Sequence, residues 1–368
     1  MSKKIMIVTF QNAYNYGAVL QCYALQSTIK DMNDNDVKVL NYRNINVENL
    51  YRIFYKPSGS LIVLRYIKSF LKGLLYIKQT LPRNKTFGKF IEKNINLTEP
   101  LNKNEIINYG FNDDYIFVAG SDQIWNTNIT NGIDEIYTLD FGNNIKRVSY
   151  AASIGNKEID ERYKDYFKKS LSKFDNISIR EETGKTALKE VTTKTVEVVL
   201  DPTLLMDAGK WEKAANAKKE NKEKYIFVYM ANQECVDIAK SLKEKTGYKI
   251  IYIDKKKLFG KDSINDVEAD PFDFVNYIKN AQYVVTTSFH ATVFSIIFNK
   301  KFWVVPPKKV GSRITDLLNK LELTDRCIDN VEELNKKGYD QKIDYKNANL
   351  KLEEERQKSI NWLKDAVK

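Results

Sequence analysis

Apolar runs of strand length alternate with amphipathic segments along most of the chain. Between the runs, apolar residues recur at the three- and four-residue spacing of helices. Strands that alternate with helices form parallel sheets, so the pattern predicts an α/β protein with two doubly wound, Rossmann-like domains. The clearest apolar runs lie at residues 4–10, 115–119, 176–179, 196–200, 225–230, 249–253, 283–286 and 302–305.

Three ranges divide the chain. Residues 1–205 are predicted to form the first Rossmann-like domain, which carries a basic helical insertion near 57–95. A segment dense in Lys, Glu, Ala and Asn then marks a junction, and residues 220–330 are predicted to form the second domain. The remaining segment, 331–368, ends in a charged amphipathic helix over 350–367. We predict that this segment packs back across the junction.

The stretch 283–298 predicts a strand that runs directly into a helix. It begins with β-branched residues and continues with apolar residues at helical spacing. Ser288 stands at the turn and is a favourable N-cap residue. The first helical turn would then offer unpaired backbone N–H groups to an anion.

His290 lies in that first turn and is the only histidine in the chain. No other side chain has an unperturbed pKa suited to proton transfer near neutral pH. A lone histidine is often a packing or surface residue. However, the position of His290, beyond the carboxyl end of a predicted parallel strand, is where open α/β sheets bind their ligands.

Three polar loops follow predicted strands of the first domain. The loop at 11–17 lacks the G-x-G-x-x-G fingerprint, so no dinucleotide is predicted. Amide, hydroxyl and carboxylate groups beside aromatic rings suit a polyhydroxylated ligand, although ordinary loop chemistry accounts equally well for 11–17. We therefore predict that this domain binds an acceptor of that kind. The candidate residues are Asn12, Asn15, Tyr16, Ser121, Asp122, Gln123, Trp125 and Ser153.

Two arginines are candidates for anion binding. Arg180 follows a predicted strand and Arg313 follows the strand at 302–305. A guanidinium group there can bind a carboxylate or a phosphate through two parallel hydrogen bonds. The alternatives are a local ion pair of Arg180 with a neighbouring glutamate, and simple helix capping by Ser312.

The net charge of +11, from 59 Lys and Arg against 48 Asp and Glu, favours anionic partners. No nucleic-acid-binding pattern accompanies the charge, so nucleic acid is not expected as a partner. The segment 61–80 predicts a basic amphipathic helix. That helix either lies on an anionic membrane surface or packs on its own domain with solvated lysines.

Cysteine usage and hydropathy exclude several classes. The three cysteines are far apart and show no C-x-x-C spacing, so neither a disulfide framework nor a metal centre is predicted. No run of 18 apolar residues occurs and the N-terminus does not read as a signal peptide, so we expect a cytoplasmic protein.

Several segments, in the same order, resemble the polysaccharide pyruvyl transferase family. The likeness extends from the first strand to about Arg326, and the ordered combination makes it more specific than any one segment. The segments are TFQNAYNYGAVLQCYALQ, VAGSDQIWN, RVSYAASIG, SIREETG, VVLDPTLLMDAGKW, TTSFHATVFSIIF and GSRITDLL.

The resemblance implies a GT-B-like architecture, in which two Rossmann-like domains face each other across a cleft. It also implies transfer of a pyruvyl group from phosphoenolpyruvate to two hydroxyls of a sugar in a cell-surface or capsular glycan. The products would be a cyclic ketal and phosphate, and no cofactor would be needed. By this likeness His290 matches the functional histidine, Arg180 and Arg313 fall at the donor site, and the Ser288 turn adds backbone donors.

Several alternatives fit the same pattern. His290 would either transfer protons or bind the phosphate as a cation, while the loop at Asp122 and Gln123 would orient the acceptor diol. The acceptor would be either a lipid-linked or a free glycan, with the lipid-linked case placing the protein at the inner face of the membrane. A GT-B-like glycosyltransferase that uses a nucleotide sugar, and a non-catalytic glycan-binding protein, are the competing classes.

Overall fold

The computed structural model describes residues 3–32, 36–53, 62–216, 223–307 and 311–368, with the backbone alone at 62–73 and 75. Within these residues the chain forms two parallel sheets with helices between and around their strands. The prediction of an α/β protein with two doubly wound halves is therefore confirmed. No described helix combines the length and the apolar character needed to cross a bilayer.

The first sheet is built by the first half of the chain. Every neighbouring pair of its strands is parallel. The strand that comes first in the sequence, Lys4–Val8, has the second strand on one side and the third on the other, so the order reverses there. Ligands of open α/β sheets bind at such a reversal. In spatial order the strands are β2 (Asp36–Val39), β1 (Lys4–Val8), β3 (Tyr115–Ala119), β4 (Lys146–Ala152), β5 (Asn176–Ile179) and β6 (Val196–Val198).

The second sheet is also entirely parallel among its described strands. Its order reverses where the strand at Tyr283–Thr286 lies beside the strand at Tyr225–Tyr229. The predicted strand-to-helix turn at Ser288 follows this reversal directly. In spatial order the strands are β11 (Lys301–Val304), β10 (Tyr283–Thr286), β7 (Tyr225–Tyr229), β8 (Lys249–Ile253) and β9 (Ser263–Asn265).

Helices cover both sheets and end the chain. The predicted basic helix at 61–80 falls in a longer helix, Ile62–Asn94, and the side chains of its first part lie outside the described residues. The α-helices are α1 (Tyr16–Met32), α2 (Ile45–Asn49), α3 (Ile62–Asn94), α4 (Lys103–Ile107), α5 (Thr127–Thr130), α6 (Glu161–Leu171), α7 (Glu182–Leu188), α8 (Ala208–Ala214), α9 (Gln233–Thr246), α10 (Pro271–Asn280), α11 (Phe289–Ile297), α12 (Ser312–Lys320), α13 (Val331–Lys337) and α14 (Tyr345–Ala366).

Helix α1 lies between the two halves and joins their cores. The ring of Tyr16 is fully buried and stacks on Phe274 of α10, with ring centroids 4.7 Å apart. Its hydroxyl donates to the backbone oxygen of Ala269 at 2.8 Å. Burial of one such ring stabilises the fold by roughly 1.5–3 kcal/mol. These contacts hold the carboxyl ends of both sheets towards each other.

Helix α14 contacts the segment that leaves β6. The hydroxyl of Ser359 accepts from the backbone N–H of Leu200 at 3.0 Å, and Nε of Arg356 donates to the backbone oxygen of Leu204 at 2.7 Å. The C-terminal helix thus packs beside the chain that crosses from the first sheet to the second. The domain limits given above stay predictions.

Candidate active site

A buried carboxylate, Asp201, is the centre of a polar cluster between the two sheets. Its Oδ1 accepts hydrogen bonds from the N–H of Thr203 at 3.0 Å and from the Thr203 hydroxyl at 2.6 Å. Its Oδ2 accepts from Nη1 of Arg180 at 2.7 Å and from the hydroxyl of Ser121 at 3.1 Å. The same Oδ2 lies 3.7 Å from Nε2 of His290. The cluster therefore draws side chains from the ends of β3, β5, β6 and β10.

The surroundings of Asp201 keep it ionised. Burial alone would raise the pKa of this carboxyl, but His290, Arg180 and the hydroxyl of Thr203 outweigh burial and hold its pKa below the usual range. A fixed negative charge thus lies 3.7 Å from Nε2 of the only imidazole in the chain.

His290 is almost enclosed by its neighbours. Its side chain is 11% exposed, and Nε2 has no hydrogen-bond partner. On the other side of the ring, a Cβ atom built on Gly17 would lie only 1.9 Å from Nδ1. The imidazole therefore occupies the space that a side chain at position 17 would fill. Ser288 caps the helix as predicted, its hydroxyl accepting from the N–H of Ala291 at 3.4 Å.

Arg180 presents an unused edge of its guanidinium group. Its side chain is 2% exposed, and Nε and Nη2 have no hydrogen-bond partner. Glu181 Oε2 lies 3.9 Å from Nε, and Asp122 Oδ1 lies 3.9 Å from Nη2. Burial would lower the pKa of Arg180, but Asp201, Glu181 and Asp122 raise it, so the group stays charged. Because buried polar groups are normally paired, the open edge marks a place for a ligand or an ordered water.

A second arginine, Arg313, lies near the same phenyl ring as Arg180. The guanidinium carbons of Arg180 and Arg313 lie 5.2 and 5.8 Å from the centroid of the Phe289 ring. Burial and the charge of Arg180 lower the pKa of Arg313 to about 10. Two neighbouring positive charges repel each other, and a bound anion would offset that repulsion.

A cavity of about 260 Å³ opens beside the imidazole, and we call it the His290 cavity. Both halves of the chain line it. Its polar lining includes Asn15, Asp122, Gln123, Ser288, His290 and Arg313. The structure thus brings together the histidine, one arginine, the helix start and three candidate acceptor residues.

Two further candidates lie behind this cavity instead of on its wall. The hydroxyl of Ser121 bonds to Asp201 as described, and the hydroxyl of Ser153 donates to Oε1 of Glu181 at 2.7 Å. Both serines are fully buried. Their positions suit them to holding the two carboxylates that surround Arg180.

Two of the remaining acceptor candidates, Tyr16 and Trp125, require correction. Tyr16 is part of the core described above, and its hydroxyl already donates to the backbone oxygen of Ala269. Trp125 is 2% exposed, and its indole N–H donates to the backbone oxygen of Tyr137 at 3.0 Å. The side-chain amide of Asn12 donates to Oδ1 of Asn41 at 3.5 Å, and its part in acceptor binding stays a prediction. Tyr16 and Trp125 were predicted to contact the ligand because they are aromatic loop residues, but their rings pack in the protein core.

Four residues of the site were not predicted from the sequence. They are Asp201, Glu181, Gly17 and Phe289. The only local signal for Asp201 is its position directly after the apolar run 196–200, immediately before a proline. Among the described residues, no group of three or more His, Cys, Asp or Glu side chains is arranged to hold a metal ion.

Two parallel α/β sheets that meet at the carboxyl ends of their strands define a GT-B-like protein. A UDP-N-acetylglucosamine 2-epimerase structure matches with a TM-score of 0.50 and 12% identity, over 95% of this chain and 91% of that chain. A Listeria monocytogenes protein assigned to the same epimerase class matches with a TM-score of 0.50 and 11% identity, over 97% of this chain and 91% of that chain. At such identities the likeness establishes the fold alone.

The family follows from the sequence. The model of the polysaccharide pyruvyl transferase family matches residues 15–308, which is most of the chain and includes every residue of the Asp201 cluster. The chain therefore belongs to the polysaccharide pyruvyl transferase family. No curated protein matches it.

Proposed function

We propose that the protein transfers a pyruvyl group from phosphoenolpyruvate to two hydroxyls of one sugar in a cell-surface or capsular glycan. The observation that carries the proposal is the contact of His290 Nε2 with Asp201 Oδ2 at 3.7 Å, while the same oxygen holds Arg180 at 2.7 Å. A proton carrier and a guanidinium group thus share one buried carboxylate.

The two arginines provide the positive charge that binding of the donor requires. Phosphoenolpyruvate carries a carboxylate and a phosphate, and each needs a cation or several hydrogen-bond donors. Arg313 lines the His290 cavity, and Arg180, whose Nε and Nη2 have no hydrogen-bond partner, lies near the same Phe289 ring. The helix start at Ser288 adds backbone donors to the same wall. A dianion bound there would offset the repulsion between the two guanidinium groups.

The reaction needs one group that donates a proton. The methylene carbon of phosphoenolpyruvate takes a proton, and a sugar oxygen forms a bond to the adjacent carbon while losing its own hydrogen. The bond to the phosphate oxygen then breaks, phosphate leaves, and the second sugar oxygen closes the ketal as its hydrogen is released. His290, beside the carboxylate of Asp201, supplies the first proton and accepts one of the two released, while the other leaves with the phosphate.

Side chains of the first half orient the acceptor. Asn15, Asp122 and Gln123 line the cavity opposite His290 and offer amide and carboxylate groups to sugar hydroxyls. Positioning two hydroxyls near one carbon contributes to the rate because the reacting atoms are already oriented.

The test is an assay of the protein with phosphoenolpyruvate and a panel of free and lipid-linked glycans. Mass spectrometry would follow addition of pyruvate less one water to the glycan, and a coupled assay would follow released phosphate. Phosphate released in step with a heavier glycan supports the proposal. Release of a nucleotide from a sugar nucleotide would support a glycosyltransferase instead, and glycan binding without turnover would support a binding protein.

The net charge of +11 and the basic sequence at 61–80 support a further part of the proposal, contact with an anionic membrane that carries the acceptor. Turnover of a lipid-linked acceptor should be faster on anionic than on neutral vesicles. Equal rates on both would reject membrane contact and leave the transfer reaction unaffected.

A further inference from the structure

A second, larger cavity adjoins the His290 cavity, and we call it the tyrosine cavity. Its volume is about 610 Å³. It lies between α3, the residues after α2, and the carboxyl ends of β7 and β8. Its lining includes four tyrosines and several polar or charged residues: Tyr14, Tyr51, Tyr76, Tyr229, Asn84, Arg52, Arg83, Asp254, Lys255 and Lys256.

The two cavities are neighbours that share part of their walls. Asn15, Leu50, Tyr51 and Met230 line both of them. Met230 is 48% exposed and has φ of +51°, a left-handed conformation that is unfavourable for a residue with a side chain. An exposed apolar side chain held in a strained conformation between two cavities is typical of a ligand contact.

The sizes of the cavities bear on what the acceptor must be. Binding cavities for ligands of moderate size range from roughly 300 to 1,000 Å³. The His290 cavity, at about 260 Å³, is below that range and must hold both the donor and the reacting diol. Any part of the acceptor beyond the reacting sugar has to extend elsewhere, and the tyrosine cavity is the adjoining space.

The lining of the tyrosine cavity suits a sugar. Tyrosine rings cover the apolar faces of sugar rings, and their hydroxyls form hydrogen bonds at the rim. Burial raises the pKa of Tyr51 and Tyr229, so both hydroxyls stay protonated as donors. Arg83 is held in place by a hydrogen bond from Nη2 to the backbone oxygen of Tyr14 at 3.2 Å. Its guanidinium carbon also lies 5.0 Å from the centroid of the Tyr16 ring, which holds the group at the edge of the cavity.

A nucleotide fits this cavity less well. Nucleotide phosphates usually bind at a glycine-rich turn and an open helix start beyond a parallel strand. Here the segment between β7 and α9 is Met230-Ala231-Asn232, with no glycine. The side chain of Asn232 already caps α9 by accepting from the N–H of Cys235 at 2.9 Å.

We infer that the tyrosine cavity binds the sugar adjacent to the one that receives the pyruvyl group, so that the acceptor contains at least two linked sugars. This inference rests on the proposed function and identifies the acceptor as an oligosaccharide or the end of a polymer. It also assigns Tyr76, which lines only the tyrosine cavity, to the second sugar.

The experiment compares galactose, glucose and mannose with lactose, cellobiose and mannobiose as acceptors for the whole protein. For any pair that reacts, we expect kcat/KM for the disaccharide to exceed that for the monosaccharide by at least about 10-fold, a loss of about 1.4 kcal/mol when the second sugar is absent. Tyr76→Ala should remove this preference, leaving the monosaccharide rate and the KM for phosphoenolpyruvate within about twofold of the wild type. Tyr109→Ala, at an exposed tyrosine outside both cavities, is the control and should preserve the preference.

Binding measured without turnover separates this inference from the proposed function. Saturation-transfer NMR with the same sugars should detect disaccharide binding that Tyr76→Ala weakens, even if no acceptor reacts. Absence of any pyruvylated product with disaccharide binding intact would reject the proposed reaction alone. Equal affinity and equal rates for mono- and disaccharides, or tighter binding of UDP that Tyr76→Ala abolishes, would overturn the inference.

Discussion

The absent side chain of Gly17 makes room for the imidazole of His290. A Cβ atom at position 17 would lie 1.9 Å from Nδ1 and within 2.5 Å of two ring carbons. Gly17 belongs to α1 of the first half and His290 to α11 of the second, so this contact fixes the ring across the junction of the two halves.

Replacing Gly17 with alanine should displace the imidazole from Asp201. Alanine is favourable in a helix by about 1 kcal/mol, which offsets part of an overlap cost of about 1–3 kcal/mol. We therefore expect a small change in Tm and a loss of turnover of about 100-fold. Gly88→Ala in α3 is the matched control, since no atom lies within 4 Å of its Cβ position, and it should leave turnover unchanged. Normal activity of Gly17→Ala would show that the ring position is not critical.

Replacement of His290 tests the proton carrier directly. His290→Ala should abolish product formation while the circular dichroism spectrum stays that of the wild type, with a modest fall in Tm because the imidazole fills buried space between Gly17 and Asp201. His290→Gln keeps polarity and size but cannot carry a proton, so it should be nearly as inactive. A glutamine variant with more than about a tenth of the wild-type rate would point to phosphate binding by His290 instead of proton transfer.

Asp201→Asn should lower both stability and activity. The substitution removes the charge that pairs with Arg180 inside the protein, and loss of one partner of a buried pair costs about 3–5 kcal/mol. Urea unfolding at pH 7 would measure the loss. A cost below about 1 kcal/mol, as for an exposed pair, would contradict the buried pairing.

The same variant should alter the acid sensitivity of the fold. Because the pKa of Asp201 is lower in the folded protein than the unfolded value of about 3.9, its contribution is fully present above about pH 4 and is lost as the pH falls below that value. The free energy of unfolding of the wild type should therefore fall more steeply between about pH 4 and pH 2 than that of Asp201→Asn. Asp36→Asn, at a half-exposed carboxylate on β2, serves as the control and should retain the wild-type slope.

Arg313→Ala should weaken donor binding with little cost to the free protein. Burial and the nearby Arg180 disfavour the charge of Arg313, so removing that charge removes an unfavourable contribution to the free energy of folding. Phosphoenolpyruvate at 100 times its Kd should stabilise the wild type by about 2.7 kcal/mol, and the variant far less at the same concentration. Thermal unfolding with and without ligand measures both effects. Arg162→Ala removes the same charge from an exposed site and should respond like the wild type.

The sequence predicted those features that depend on neighbouring residues. The strand-to-helix turn, its cap at Ser288 and the place of His290 in the first helical turn all follow from a local pattern of apolar and polar residues. The two doubly wound sheets follow from repetition of that pattern. Arg180 directly follows a buried strand as predicted, and its role in binding the donor stays a prediction.

The features that were missed depend on contacts between distant segments. The partners of Asp201 include Arg180, which is 21 residues away, and Ser121, which is 80 residues away. Tyr16 was assigned to a ligand because loops often carry binding residues, but its hydroxyl bonds to Ala269, 253 residues later. No local pattern distinguishes an aromatic ring that faces a ligand from one that faces another helix.

The solitary, enclosed histidine makes this protein unusually convenient for spectroscopy. A sample labelled with ¹⁵N only in histidine, with any purification tag removed, would show the signals of a single imidazole. Those signals report the tautomer and charge of the ring at each pH without assignment of the rest of the chain. Each added metabolite or glycan could then be scored by whether it shifts that one resonance pair.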